Sequence, residues 1–103
     1  MQEKVKRFND NMPCHKKPMP TWARVADIES ELGELSKEVL KASKYGTKEF
    51  ELTDNFVMEF GDCLYSLMSL ANELGIDANH ALDKVLEKYK NRINNNNNMG
   101  SGR

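Results

Sequence analysis

Thr21 to Gly46 reads TWARVADIESELGELSKEVLKASKYG. Within it Trp22, Val25, Ile28, Leu32, Leu35, Val39 and Ala42 recur at intervals of three and four residues, the spacing that lines one face of an α-helix. Thr21 reads as the N-cap and Gly46 as the stop, with Lys41 and Lys44 near the negative end of the helix dipole. The same segment carries Glu31-Leu32-Gly33-Glu34, two carboxylates three residues apart around a glycine. At that spacing the side chains stand next to each other on a helix, and like charges repel by roughly a few tenths of a kcal/mol. A mid-helix glycine costs about 1 kcal/mol relative to alanine. Both costs recur at Glu59-Phe60-Gly61-Asp62.

Outward from this helix the chain stays helical. Thr53 or Asp54 can cap a second long helix carrying Phe56, Phe60, Cys63, Leu64, Leu67, Leu70, Ala71 and Leu74, with Gly75 as its stop. Asp77 is a good N-cap for a third, with Ala81, Leu82, Val85, Leu86, Tyr89 and Ile93. Val5 and Phe8 support a short N-terminal helix, closed off by Pro13, Pro18 and Pro20. The expectation is an all-α bundle of three main helices plus this short one, a single domain over residues 1 to 93. Residues 94 to 103, beginning with Asn94 to Asn98, form a low-complexity tail expected to be disordered. The long helices are apolar over a wider arc than one small subunit covers, so completion by a second copy is expected.

Bulk properties narrow the function classes. The 103 residues are 30% charged with a formal net charge of −1. That balance gives no electrostatic pull toward nucleic acid or membrane. No apolar run approaches the ~20 residues of a membrane span, and no secretory apolar core stands at the start. Cys14 and Cys63 make no disulfide framework, so the expected location is the reducing cytoplasm.

A helical wheel of about 100° per residue places the acids. Relative to Glu31, Glu34 and Glu38 fall within roughly 60°, while Ile28, Leu32, Leu35 and Val39 centre about 70° away. Relative to Glu59, Asp62 has the same offset as Glu34, and Phe56, Cys63, Leu67 and Leu74 centre about 60° away. Each acidic pair therefore borders an apolar stripe, and packing the two stripes together would bring four carboxylates across one groove. Bare, they would repel and raise one another's pKa; an all-oxygen set suits Mg²⁺, with Mn²⁺ as a substitute. Iron is disfavoured, because a di-iron carboxylate bundle needs Glu-x-x-His and no such pair is present.

These residues resemble the MazG-like nucleoside triphosphate pyrophosphohydrolases. The resemblance spans about residues 21 to 93 and rests on four stretches: Glu31-Leu32-Gly33-Glu34-Leu35, Glu59-Phe60-Gly61-Asp62-Cys63-Leu64, Leu74-Gly75-Ile76-Asp77, and Lys88-Tyr89-Lys90-Asn91-Arg92. Many relatives carry two adjacent acids at the first of these, where this chain has Ser30 before Glu31. The resemblance implies an all-α dimer or tetramer that hydrolyses a nucleoside triphosphate to monophosphate and pyrophosphate with Mg²⁺. It implies Glu31, Glu34, Glu59 and Asp62 as metal ligands, with Lys88, Asn91 and Arg92 holding phosphates or sugar.

The physical chemistry is consistent with that activity. A cation bridges an anionic substrate and anionic side chains, and a carboxylate not fully committed to it can orient or deprotonate water. Position on the wheel leaves Glu34 and Glu38 as the two candidates. Trp22 can stack on a base or anchor the core. The expected function is pool house-cleaning of a (deoxy)nucleotide. The alternatives are the related phosphoribosyl-ATP pyrophosphohydrolase and a non-catalytic bundle that binds a cation.

Overall fold

The computed structural model describes residues 1–12 and 19–96. Four helices follow in order: α1 (Gln2–Asp10), α2 (Thr21–Ala42), α3 (Asp54–Leu74) and α4 (Ala78–Asn96). No strand occurs among the described residues, so the fold is all-α as the periodicity requires. Asn94, Asn95 and Asn96 continue α4, three residues into the stretch expected as tail. The rest of that tail, with Pro13, Cys14 and Pro18, lies outside the described residues.

The helix ends show which local signals acted. Thr53 caps α3, its hydroxyl accepting from the Phe56 amide at 3.0 Å. Gly75 stops α3 at φ +69, where the Ile76 amide donates to the Ala71 carbonyl at 2.8 Å. Asp77 opens α4 by accepting from the His80 amide at 3.1 Å.

The ends of α2 differ from expectation. Its cap is Pro20, extended at φ −55 and ψ 146, whose carbonyl accepts from the Arg24 amide at 3.0 Å. Thr21 is already helical, so its hydroxyl caps nothing. At the other end α2 stops at Ala42, four residues before Gly46. Ser43 explains this: its hydroxyl donates back to the Val39 carbonyl at 2.9 Å and accepts from the Gly46 amide at 3.1 Å. The chain then passes through Lys44, Tyr45 and Gly46, all at positive φ.

α2 and α3 run antiparallel and form the main contact, and α1 lies across α3. Polar side chains hold α1 there. Asn9 accepts from the Tyr65 hydroxyl and donates to Ser69 Oγ at 3.1 Å, and Phe8 meets the Tyr65 ring edge-on at 6.1 Å. Gln2 accepts from the Ala78 amide at 2.9 Å, tying α1 to the start of α4. α4 otherwise stands largely clear of the other helices, with Leu82 and Leu86 more than half exposed.

The packing corrects one expectation. The apolar stripes were expected to meet, with acids at their border. Instead the most deeply buried side chains include the polar Arg24, Ser66 and Ser69, while among the described apolar residues only Met68 and Ala71 are buried. Val25, Leu32 and Val39 on α2 stay substantially exposed. One helix pair and a short third helix cannot cover an apolar arc this wide, so the polar edges form the seam and part of each stripe faces outward.

Candidate functional site

The α2–α3 seam is a ladder of polar rungs. At its first rung the buried Arg24 side chain, 4% exposed, clasps Glu73 through Nη2–Oε2 at 2.9 Å and Nε–Oε1 at 3.5 Å. The next rung joins Asp27 Oδ2 to the Ser66 hydroxyl, which donates at 2.9 Å, and Arg24 Nη1 lies 3.7 Å from that same oxygen. One turn further along α2 stands Glu31, which meets Glu59 and Asp62 from α3. Each of these three offers a carboxylate oxygen, and the three oxygens lie within 4.8 Å of one another.

Charges gathered this closely disfavour ionisation of Glu31 and Glu59. The Glu31 pKa is raised, first by partial removal from water and then by the charges of Asp62, Asp27, Glu59 and Glu34. Glu59 is raised in the same order, by desolvation and then by Asp62, Glu34 and Glu38, with Lys41 acting against them. The Cys63 thiol shares the environment and is pushed up by burial, Glu31, Asp62 and Glu59. This electrostatic frustration is what a bound cation would relieve.

The donor set fits a hard divalent ion. Glu31, Glu59 and Asp62 are the residues that would hold it, each offering an oxygen within 4.8 Å of the other two. Beside this group opens a cleft of about 490 Å³, whose walls include Arg24, Asp27, Glu31, Asp62, Tyr65 and Ser66. It is large enough for part of a substrate to lie next to the carboxylates.

The other sequence-derived candidates fall differently. Glu34 is half exposed and sits outside the three-carboxylate group, 3.6 Å from Lys37, though its charge acts on both Glu31 and Glu59. Glu38 is largely buried, bonded to Lys41 at 3.3 Å, and acts on Glu59. Trp22 is 76% exposed at the start of α2, which removes the core-anchor reading within one chain. Lys88 lies 5.3 Å over the Tyr89 ring on exposed α4, with Asn91 exposed and Arg92 half-buried nearby. The charges acting on Glu31 and Glu59 come from α2 and α3.

Sequence reasoning missed Arg24, Asp27, Ser66 and Glu73. The signal was available in the same wheel. At about 100° per residue, Arg24 and Asp27 fall within roughly 40° of Glu31, and Ser66 and Glu73 within roughly 40° of Asp62. They lie on the acidic faces, which an apolar-stripe search passes over.

A family model described as the MazG nucleotide pyrophosphohydrolase domain matches residues 23–96, most of the chain and all of the ladder. The chain belongs to that family. A MazG domain thus accounts for the all-α fold and for the two acidic pairs on facing helices. The uncharacterized protein YpjD of Bacillus subtilis (strain 168) is 38% identical over 73 residues, covering 68% of this chain and 64% of that relative. The MazG chain therefore spans somewhat less than two thirds of the curated relative it matches. No solved structure matches it. No helix among the described residues is long and apolar enough to cross a membrane.

Proposed function

We propose that the protein is a cytoplasmic Mg²⁺-dependent nucleotide pyrophosphohydrolase that cleaves a (deoxy)nucleoside triphosphate to monophosphate and pyrophosphate, serving nucleotide-pool house-cleaning. The observation that carries this reading is the convergence of Glu31, Glu59 and Asp62 oxygens within 4.8 Å, from two helices of a MazG domain. Glu31, Glu59 and Asp62 would hold the cation, Mn²⁺ substituting for Mg²⁺, and Glu34 would join them by leaving Lys37. When bound, the ion offsets phosphate charge and polarises a phosphoryl oxygen. Glu38, or Glu34 where it is not fully committed to the ion, orients the attacking water and takes its proton, since both carry charge beside the three carboxylates.

Substrate contacts come from the chain's exposed flanks. Trp22, at the start of α2, offers an indole face to a base, and Lys88, Asn91 and Arg92 on α4 offer donors to phosphates or sugar. These α4 groups reach a set of acids in an assembly, as a homodimer or homotetramer. The Cα radius of gyration of 17.1 Å supports self-association, since a compact chain of this length has about 13 Å. So does the apolar cleft of about 510 Å³ among Leu64, Leu67, Ala81 and Leu82. The occupant is a second copy of this chain, whose exposed α2 stripe is equally apolar.

Incubation with a panel of canonical and modified nucleoside triphosphates and Mg²⁺, assayed for pyrophosphate, tests the proposal. Release from one or several nucleoside triphosphates is the expected result. Release from phosphoribosyl-ATP alone would reassign the substrate. No release from any of them, with Mg²⁺ still bound, would make the protein a non-catalytic cation-binding bundle.

A further inference from the structure

Two features of the seam have no role in the chemistry above: the buried Arg24 guanidinium and the Asp27–Ser66 bond. We infer that Arg24 and Glu73, with Asp27 and Ser66, are positioning residues that fix the α2–α3 register at which Glu31 meets Glu59 and Asp62. This rests on the metal-site reading of those three carboxylates.

The argument is one of geometry and sign. In antiparallel register the rungs run Arg24–Glu73, Asp27–Ser66, then Glu31 against Asp62 and Glu59. The first two are attractive. The third, without a cation, is a meeting of like charges that would drive the helices apart or slide one along the other. Sliding by one helical turn is a displacement of about 5.4 Å, more than the whole span of the three oxygens. Apolar contacts oppose such sliding poorly, because they are non-directional and much of the α2 stripe is exposed.

The guanidinium opposes it well. It engages Glu73 through two nitrogens, 2.9 and 3.5 Å from the carboxylate oxygens, and reaches Asp27 with a third at 3.7 Å. A planar fork so engaged tolerates neither translation nor rotation. The Ser66 hydroxyl completes the lock by holding Asp27: Asp27 stands one turn from Glu31 on α2, and Ser66 stands one turn from Asp62 on α3. Burial adds to the effect. A seam with Arg24 4% exposed cannot slide without carrying a charge away from its partners in a poorly solvated place.

The test compares Mn²⁺ affinity with thermal stability in the full chain. Arg24→Met combined with Glu73→Leu removes the fork without altering net charge, and replacing a buried ion pair by apolar side chains is often neutral for stability. Mn²⁺ affinity, read by electron paramagnetic resonance, is expected to fall about tenfold or more while the melting temperature and helicity hold. Ser66→Ala, which leaves every charge in place, should weaken Mn²⁺ binding severalfold, and Arg24→Lys should retain part of the affinity. A double variant that binds Mn²⁺ as tightly as the parent overturns the register lock and leaves the metal site standing. Should the double variant fail to fold, unchanged affinity in Ser66→Ala overturns it equally. A parent protein that does not bind Mn²⁺ defeats the metal-site reading itself, and the lock with it.

Discussion

Alanine at Gly33 and Gly61 should make this protein more stable and less active. Both glycines lie in helix interiors, and a Cβ added at either meets no atom within 4 Å. Neither has positive φ, so alanine takes the existing backbone without strain. Each substitution then collects the full helix-propensity difference, about 0.8–1.0 kcal/mol. With no shared contact the two add, giving about 2 kcal/mol, which at roughly 4–8 °C per kcal/mol is a rise of about 8–16 °C in melting temperature for the double variant. Natural retention of two unfavourable residues inside the acidic pairs calls for a reason outside the isolated chain. Under the proposed function that reason would be close approach by substrate phosphates or by a helix of a second copy, which a methyl group would obstruct. Circular-dichroism melts at low protein concentration and pyrophosphate release with Mg²⁺ measure the two halves. A lower melting temperature would refute the reading of open space around the glycines. A raised melting temperature with unchanged turnover would refute their functional role.

The remaining predictions concern the charges. Glu31→Gln or Asp62→Asn should abolish pyrophosphate release and weaken Mn²⁺ binding while leaving helicity nearly unchanged, because a ligand is lost from a partly solvated rung; full activity in either would exclude that residue from the site. The raised Glu31 and Glu59 pKa values set the pH response. Both groups bind protons more readily folded than unfolded, so their contribution to metal-free stability is present below the unfolded carboxylate pKa and is lost as pH rises through the folded one. Urea melts in chelator should therefore show stability falling across the upper carboxylate range, and saturating Mg²⁺ should flatten or reverse that trend; a trend of opposite sign without metal would contradict the cluster. Lys88→Ala should chiefly raise the apparent substrate constant, and an unchanged constant would take Lys88 out of the phosphate site.

The sequence made the helices legible because each has a strong period-3.6 stripe and, in three places, an unambiguous stop or cap: Thr53, Gly75 and Asp77. It misplaced the ends of α2 because a serine bonding to its own helix competes with a downstream glycine, and a proline can stand at the cap without any side-chain bond. The acidic meeting of Glu31, Glu59 and Asp62 was legible too, since paired spacing and equal offsets constrain where carboxylates project. Glu34 shows the limit of that reasoning. A wheel gives direction around an axis but not which of two neighbouring acids reaches the facing helix, and here Lys37 lies beside Glu34 on the exposed side.

What the wheel could not show is why like charges stay together. Hydrophobic burial sets how much surface two helices share, whereas register depends on directional contacts, and those need both partners to be known. Arg24 alone reads as a surface cation and Glu73 as a surface anion, 49 residues away. Joined, they form the most buried charge pair among the described ion pairs, two turns along α2 from Glu31. A domain that must hold empty carboxylates within reach of one ion has to store repulsion, and it can do so only where neighbouring rungs attract strongly enough to resist sliding. The Asp27–Ser66 rung stands one helical turn from the repulsive rung, short enough for rigid coupling, while the guanidinium stands two turns away, far enough not to neutralise the acids it positions.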